Sequence, residues 1–347
     1  MARGAQVVIA KIRWACSIWA VSIIYVDRIA SSSDCLALLL PMWLFGPSLW
    51  LHLAVLVLFA FGLIVTLRRE TPAVSGIGNL VRFGSVFFAV PLAVFGMQHF
   101  ALFDSVKFGV PAYMPARFLW AYLVGAALIA ACLSIVTEIH ADLAALLVGI
   151  MLFLFVLMVH LPNLIKNPGD RFAITVPLRD LALSGGALAL AGVLGSVRRG
   201  QSARWLVQVG RWFFAVPMLY FGVEHFLHPE FAPGMPFPLL TPAWVPGRVV
   251  WAYATGAVLV VCSLSILADK HAQAAAAWLG AAFLVLTVLI YLPREIIHPS
   301  IAISGELDYV ADTLAMSGAA LLVARAMAWR NAQDTMAVKS RMETTLK

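Results

Sequence analysis

Charge is what this chain has least of. Only 12% of its residues are Asp, Glu, Lys or Arg, about half the share a soluble domain carries. Short segments of alternating polar and apolar residues are also missing, which removes a transmembrane β-barrel. Cysteine is rare: Cys16, Cys35, Cys132 and Cys262 are the full set, with no C-x-x-C and no C-x-x-C-H spacing. Neither a dithiol redox centre nor covalently attached haem is therefore expected. The net charge of +7 forms no block, so its expected partners are lipid headgroups and not nucleic acid.

What is present is apolar length. Hydrophobic residues make up 62% of the chain, gathered in stretches of about 20 residues, the length that carries a helix across a bilayer. The expected class is an all-α, polytopic transmembrane protein.

The stretches repeat. Phe87-Phe88-Ala89-Val90-Pro91, Phe95-Gly96 and His99-Phe100 return 126 residues later as Phe213-Phe214-Ala215-Val216-Pro217, Phe221-Gly222 and His225-Phe226. Pro111-Ala112, Pro115, Arg117, Trp120-Ala121-Tyr122 and Gly125 return at an offset of 131 as Pro242-Ala243, Pro246, Arg248, Trp251-Ala252-Tyr253 and Gly256. Leu161-Pro162 and Ser184-Gly185 likewise match Leu292-Pro293 and Ser317-Gly318. Shared spacing over this length marks a tandem duplication.

Each copy reads as four spans. Residues 82–200 give Gly84 to Phe103, Arg117 to Thr137, Ala141 to Leu161 and Val176 to Val197. Residues 201–330 give Trp212 to Leu227, Arg248 to Leu267, Ala272 to Leu292 and Tyr309 to Ala328. An even number of crossings makes the copies parallel, related by a pseudo-two-fold axis along the membrane normal. Residues 36–81 supply a leading helix, Ser48 to Leu67, preceded by a partial or re-entrant helix at Leu36 to Phe45, and a linker. Residues 331–347 read as a polar tail. In residues 1–35 the apolar run is broken by Lys11 and Arg13; a weak span, an interfacial helix or an added extension all fit, while a cleaved signal peptide is not expected. Basic residues gather at the junction between copies and after the second copy, which puts those segments and the C-terminus in the cytoplasm by the positive-inside rule.

Few side chains in such a chain can carry chemistry. His99 and His225 end the first helix of each copy, on one face with Phe95 and Phe221. Each is either an imidazole tying helices together or a contact for a ligand such as a quinone carbonyl; no further aligned His or Met supports a metal. Arg117 with Trp120, and Arg248 with Trp251, open the second helix as interfacial anchors or as the rim of an outward pocket. Glu138-x-His140 and Asp269-x-His271 fit the tight turn at the other face as solvated helix caps. Cys132 and Cys262 are expected to be small packing residues. The copies differ where Gln98 has become Glu224. His228 lies four residues further on, so an acid and imidazole contact between Glu224 and His228, with Arg248 nearby, is expected in the second copy alone.

The G-x-x-H-F helix, the P-x-x-x-P-x-R-x-x-W-A-Y-x-x-G entry and the L-P element together resemble the DoxX/DoxD-like family of membrane proteins. The resemblance covers residues 82 to 328 as two fused four-helix modules. It implies a membrane subunit in quinone-linked redox metabolism, in the inner membrane, with a quinone as ligand and a redox protein as partner. No catalytic residue carries over from it. Two other readings stand beside it: a small-molecule or lipid carrier working at the repeat interface, and a structural membrane scaffold. None fixes an oligomeric state.

Overall fold

The computed structural model describes residues 47–69, 76–107, 109–199, 203–235, 237 and 239–345. The segment 1–35, the partial helix at Leu36 to Phe45, Cys16 and Cys35 lie outside the described residues. Residues Ala54–Lys347 form one compact unit; of the preceding unit, Met1–Leu53, only the first turns of the leading helix are described.

The protein is an all-α multi-pass membrane protein. Among the described residues, nine helices are long and apolar enough to cross a membrane. The leading helix is α1 (Pro47–Arg68). The first repeat holds α2 (Gly84–Ala101), α3 (Arg117–Thr137), α4 and α5 (Arg171–Arg199). The second holds α6 (Arg204–Leu227), α7 (Arg248–Leu267), α8 and α9 (Glu306–Thr345). Helix α9 runs through most of the segment expected as a polar tail.

Helices α4 and α8 share an irregularity. Each is α-helical at first (Ala141–Phe155, Ala272–Leu286), passes through a π-helical turn (Val156–His160, Thr287–Tyr291) and resumes (Leu161–Lys166, Leu292–Ile297). The Leu-Pro pair therefore interrupts the third helix without closing it. Proline has no N–H and its ring collides with the carbonyl four residues back; the wider π turn relieves that collision. In α4 the carbonyl freed at Met158 accepts a hydrogen bond from the Tyr113 hydroxyl at 2.9 Å.

The repeats interlock. The first helix of each packs on the last helix of the other: α2 lies on α9, and α6 lies on α5. Glycine permits both crossings. A Cβ on Gly318 would come 2.2 Å from the Phe88 backbone nitrogen, and one on Gly185 would come 2.6 Å from that of Phe214. The serine before each glycine ties the same helix to its other neighbour. Ser184 Oγ donates to the Gly149 carbonyl and Ser317 Oγ to the Gly280 carbonyl, both at 2.7 Å. The eight helices run in a ring, α2, α3, α4, α5, α6, α7, α8, α9 and back to α2, while α5 and α9 also meet across its middle. Gly186 of α5 lies against Ala319 of α9 there, where an added Cβ would come 2.6 Å from the Ala319 Cβ, as expected where membrane helices associate by close packing.

Candidate functional site

The middle of the ring is charged. Arg179 on α5 donates from Nε to Asp180 Oδ1 at 2.9 Å and from Nη1 to both carboxylate oxygens of Asp312 on α9, at 3.3 and 3.2 Å. Asp180 is also held by His160, whose Nε2 lies 2.9 Å from Oδ2. The Asp180 and Asp312 side chains are each 4% exposed, whereas Arg179 and His160 retain 23% and 21%. Arg179 and Asp312 lie 133 residues apart, the offset that relates Ser184 to Ser317. They occupy the same position of the two repeats and meet across the pseudo-two-fold axis. A guanidinium suits this place because it serves two carboxylates through a planar fork.

The structure around the centre is not symmetric. At the position equivalent to Asp180 the second repeat has Thr313, bonded at 3.0 Å to Thr287; at that of His160 it has Tyr291. Tyr291 is 2% exposed and its hydroxyl donates to the Pro233 carbonyl at 2.6 Å. The connection after α6 thus folds over the second repeat, burying Ala232, Met235 and Phe237. Phe237 reaches Phe172 and Tyr309, residues that begin α5 and α9. Asp308, one turn before Asp312, accepts from the Gln98 amide and from the Ser304 backbone. Its hydrogen bonds lead away from the guanidinium.

The expected site residues do not converge. His99 is half-buried and its Nδ1 lies 2.7 Å from the Phe95 carbonyl of its own helix. His225 is fully buried and accepts at Nε2 from the Gly234 N–H at 2.9 Å. Both pack over the glycine of the next helix: a Cβ on Gly125 would meet His99 Cβ at 2.7 Å, and one on Gly256 would meet His225 Cβ at 3.0 Å. The recurring F-G-x-x-H-F and W-A-Y-x-x-G motifs are thus two sides of a helix crossing. Rings stack beside it, Phe100 on Tyr122 and Phe226 on Tyr253.

The expected contact between Glu224 and His228 is not made. Helix α6 ends at Leu227, and His228 turns away to lie 3.3 Å from Glu230. Glu224 instead forms an ion pair with Arg171 at the start of α5, joining the two repeats at their shared seam. Arg117 and Arg248 make no ion pair among the described residues, Arg248 is exposed, and Trp120 is 39% exposed, as anchors at a membrane surface would be. Trp251 is half-buried against the cluster holding Tyr291.

At the opposite face the two tight turns behave as expected in part. Glu138, His140, Asp269 and His271 all adopt left-handed backbone, with φ of 60, 55, 59 and 55°. The acids there are ion-paired: Glu138 with Arg69, and Asp269 with Arg330 and with Arg211 at 3.1 Å. The Arg330 hydrogen bond holds the Asp269 carboxyl below the usual aspartate range against the cost of its burial, and Arg211 adds to the effect. Cys132 and Cys262 are free, buried thiols within the packing. The described residues contain no cluster of three or more His, Cys, Asp or Glu arranged to hold a metal.

The chain matches no family model, no curated protein and no solved structure.

Proposed function

We propose that this is a DoxX-type protein of the bacterial inner membrane whose working part is the Arg179 centre, and that the centre exchanges protons with a membrane-soluble quinone in a redox system completed by a partner protein. The observation that carries the reading is the charge count at the axis. One guanidinium faces Asp180 and Asp312 from opposite repeats, with Asp308 a turn away and His160 on Asp180. A low-dielectric interior does not tolerate uncompensated charge, so a set of acids outnumbering its cation holds protons that can be exchanged. Ionisable groups inside spans, at the interface of parallel repeats, are where proton and substrate traffic is concentrated in membrane proteins. Quinone reduction consumes protons and electrons together. The protons are the share assigned to this chain and the electrons that of the partner.

The basic residues at the junction and after the second repeat support a cytoplasmic position for those segments and the C-terminus. The charged centre then lies nearer the outer face, since Arg179 and Asp312 sit in the first turns of helices entering from the side of the Pro-rich connections.

The test is to purify the protein with its native lipid and extract the bound small molecules for mass spectrometry. Wild type is expected to retain a quinone that Arg179→Gln loses. Wild type devoid of quinone, with lipid retained, overturns the quinone assignment.

A further inference from the structure

The charged centre has four protonatable members, Asp180, Asp308, Asp312 and His160, and the way their hydrogen bonds run decides how a proton reaches them. Arginine takes no part, because its guanidinium does not release a proton in proteins. Among the described residues, Asp312 hydrogen-bonds to Arg179, and Asp180 to Arg179 and His160. Asp308 is turned to Gln98 and Ser304. His160 is the member with both a bond into the centre and a surface outside it: Nε2 faces Asp180 while 21% of the side chain stays exposed. The exposed side chains around it, Leu157, Met158 and Leu161, are apolar.

The second repeat supplies the contrast. Its π turn carries Tyr291 in the place of His160, and there the way out is closed by the Pro233 carbonyl and by the fold of the connection over Ala232 and Met235. Both turns exist because a proline follows them, but one presents an imidazole outward and the other a sealed phenol. Neutral imidazole binds a proton on one nitrogen and releases one from the other, which an amide or a phenol at the same place does not do at neutral pH.

From this we infer that His160 is the port of the centre: protons pass between Asp180 and the outside through its ring, on the lipid-facing side of the first repeat, while the equivalent route through the second repeat is shut. This rests on the reading that the centre exchanges protons. The charged or titratable groups on the elements packed against this turn are Tyr113, whose hydroxyl donates to the Met158 carbonyl, Lys166 on the end of α4, and Arg171, Arg179 and Asp180 on α5; Asp142 lies at the far end of α4, and Arg198 and Arg199 at the far end of α5. Arg171 is engaged by Glu224 on α6, and Asp180 lies at the inner end of the port.

The test is the rate at which the protonated-carboxyl infrared bands of the lipid-reconstituted protein shift after transfer to deuterated buffer. His160→Gln keeps an N–H for Asp180 but cannot relay a proton, and is expected to slow the shift by roughly tenfold or more. Tyr291→Phe, on the sealed side, is expected to leave it within about twofold. An unchanged rate in His160→Gln, in protein whose helicity and monodispersity match wild type, overturns the port. So does equal slowing by both substitutions. A wild type with no exchanging carboxyl band fails one step earlier and removes the proton-handling reading itself.

Discussion

The two repeats agree at their seams and part company at the ends that carry the Pro-rich connections. Where α2 lies on α9 and α6 on α5, both copies use a glycine, a serine bonded to a glycine carbonyl, and a pair of phenylalanines. At these ends the first repeat has His160 on Asp180, whereas the second has Tyr291 under a connection five residues longer than the first repeat's. Helix crossings admit few solutions, because backbones meet there and any added atom collides. Connections and polar partners are freer to change. Duplication has kept the scaffold and let one mouth of a shared centre close.

The seams give the largest effect. Gly318→Val and Gly185→Val should each remove about 3 kcal/mol or more, since overpacking against backbone cannot be relieved by a rotamer change. Thermal unfolding in detergent reads this. Gly195, also helical but with open space where a Cβ would go, is the control: Gly195→Ala should be neutral or stabilising by up to about 1 kcal/mol. A large loss at Gly318 with none at Gly185 breaks the claim that the seams are equivalent.

The mouths come next. Tyr291→Phe forfeits the bond to Pro233, about 1 kcal/mol or somewhat more for the buried carbonyl left behind. Its signature is faster proteolytic cleavage in the connection between α6 and α7, with the connection between α2 and α3 cut as before. Equal cleavage of the second connection in variant and wild type would mean that Tyr291 does not hold the cover.

The smallest effect lies in the turn at the far face. Asp269, held below its ordinary value by Arg330 and Arg211, stabilises the fold fully above the unfolded aspartate pKa of about 3.9 and loses that contribution as pH falls through the lower folded value. The Asp269 side chain is 38% exposed, so solvent screening keeps the gain to a fraction of what the shift alone suggests. Asp269→Asn should unfold slightly earlier than wild type at pH 7, and the gap should narrow below about pH 4. A gap that is constant with pH would assign the turn's stability to backbone geometry.

How much of this could be read in advance depends on the range of the interaction. The recurring motifs, the helix count and the positions of the turns were legible because each is written in local spacing: Phe87 to Phe100 against Phe213 to Phe226, or the apolar length between prolines and charges. The interlocking was not, because no local signal says whether Phe88 meets Gly185 of its own copy or Gly318 of the other. The charged centre was nearly legible. Arg179, Asp180 and Asp312 all fall inside stretches read as spans, and Arg179 and Asp312 share the offset of the flanking serines. No local spacing, however, says that Arg179 meets Asp312 of the other copy. Pairing Glu224 with His228 failed for a different reason. The rule for residues four apart holds within a helix, and α6 ends one residue too soon.

The interlocked ring also sets a timetable for synthesis. The α2 face at Phe87 and Phe88 has its counterpart at Gly318, some 230 residues later in the chain. At roughly 5 to 20 residues per second, that face waits on the order of 10 to 50 s in the membrane before its partner exists. During that wait the matching surface on offer is the Gly185 side of α5, already made and not yet claimed by α6. A nascent first repeat can therefore close on itself and must later reopen, or close on a neighbouring chain. The fate of α2 is decided by whether α6 reaches α5 first.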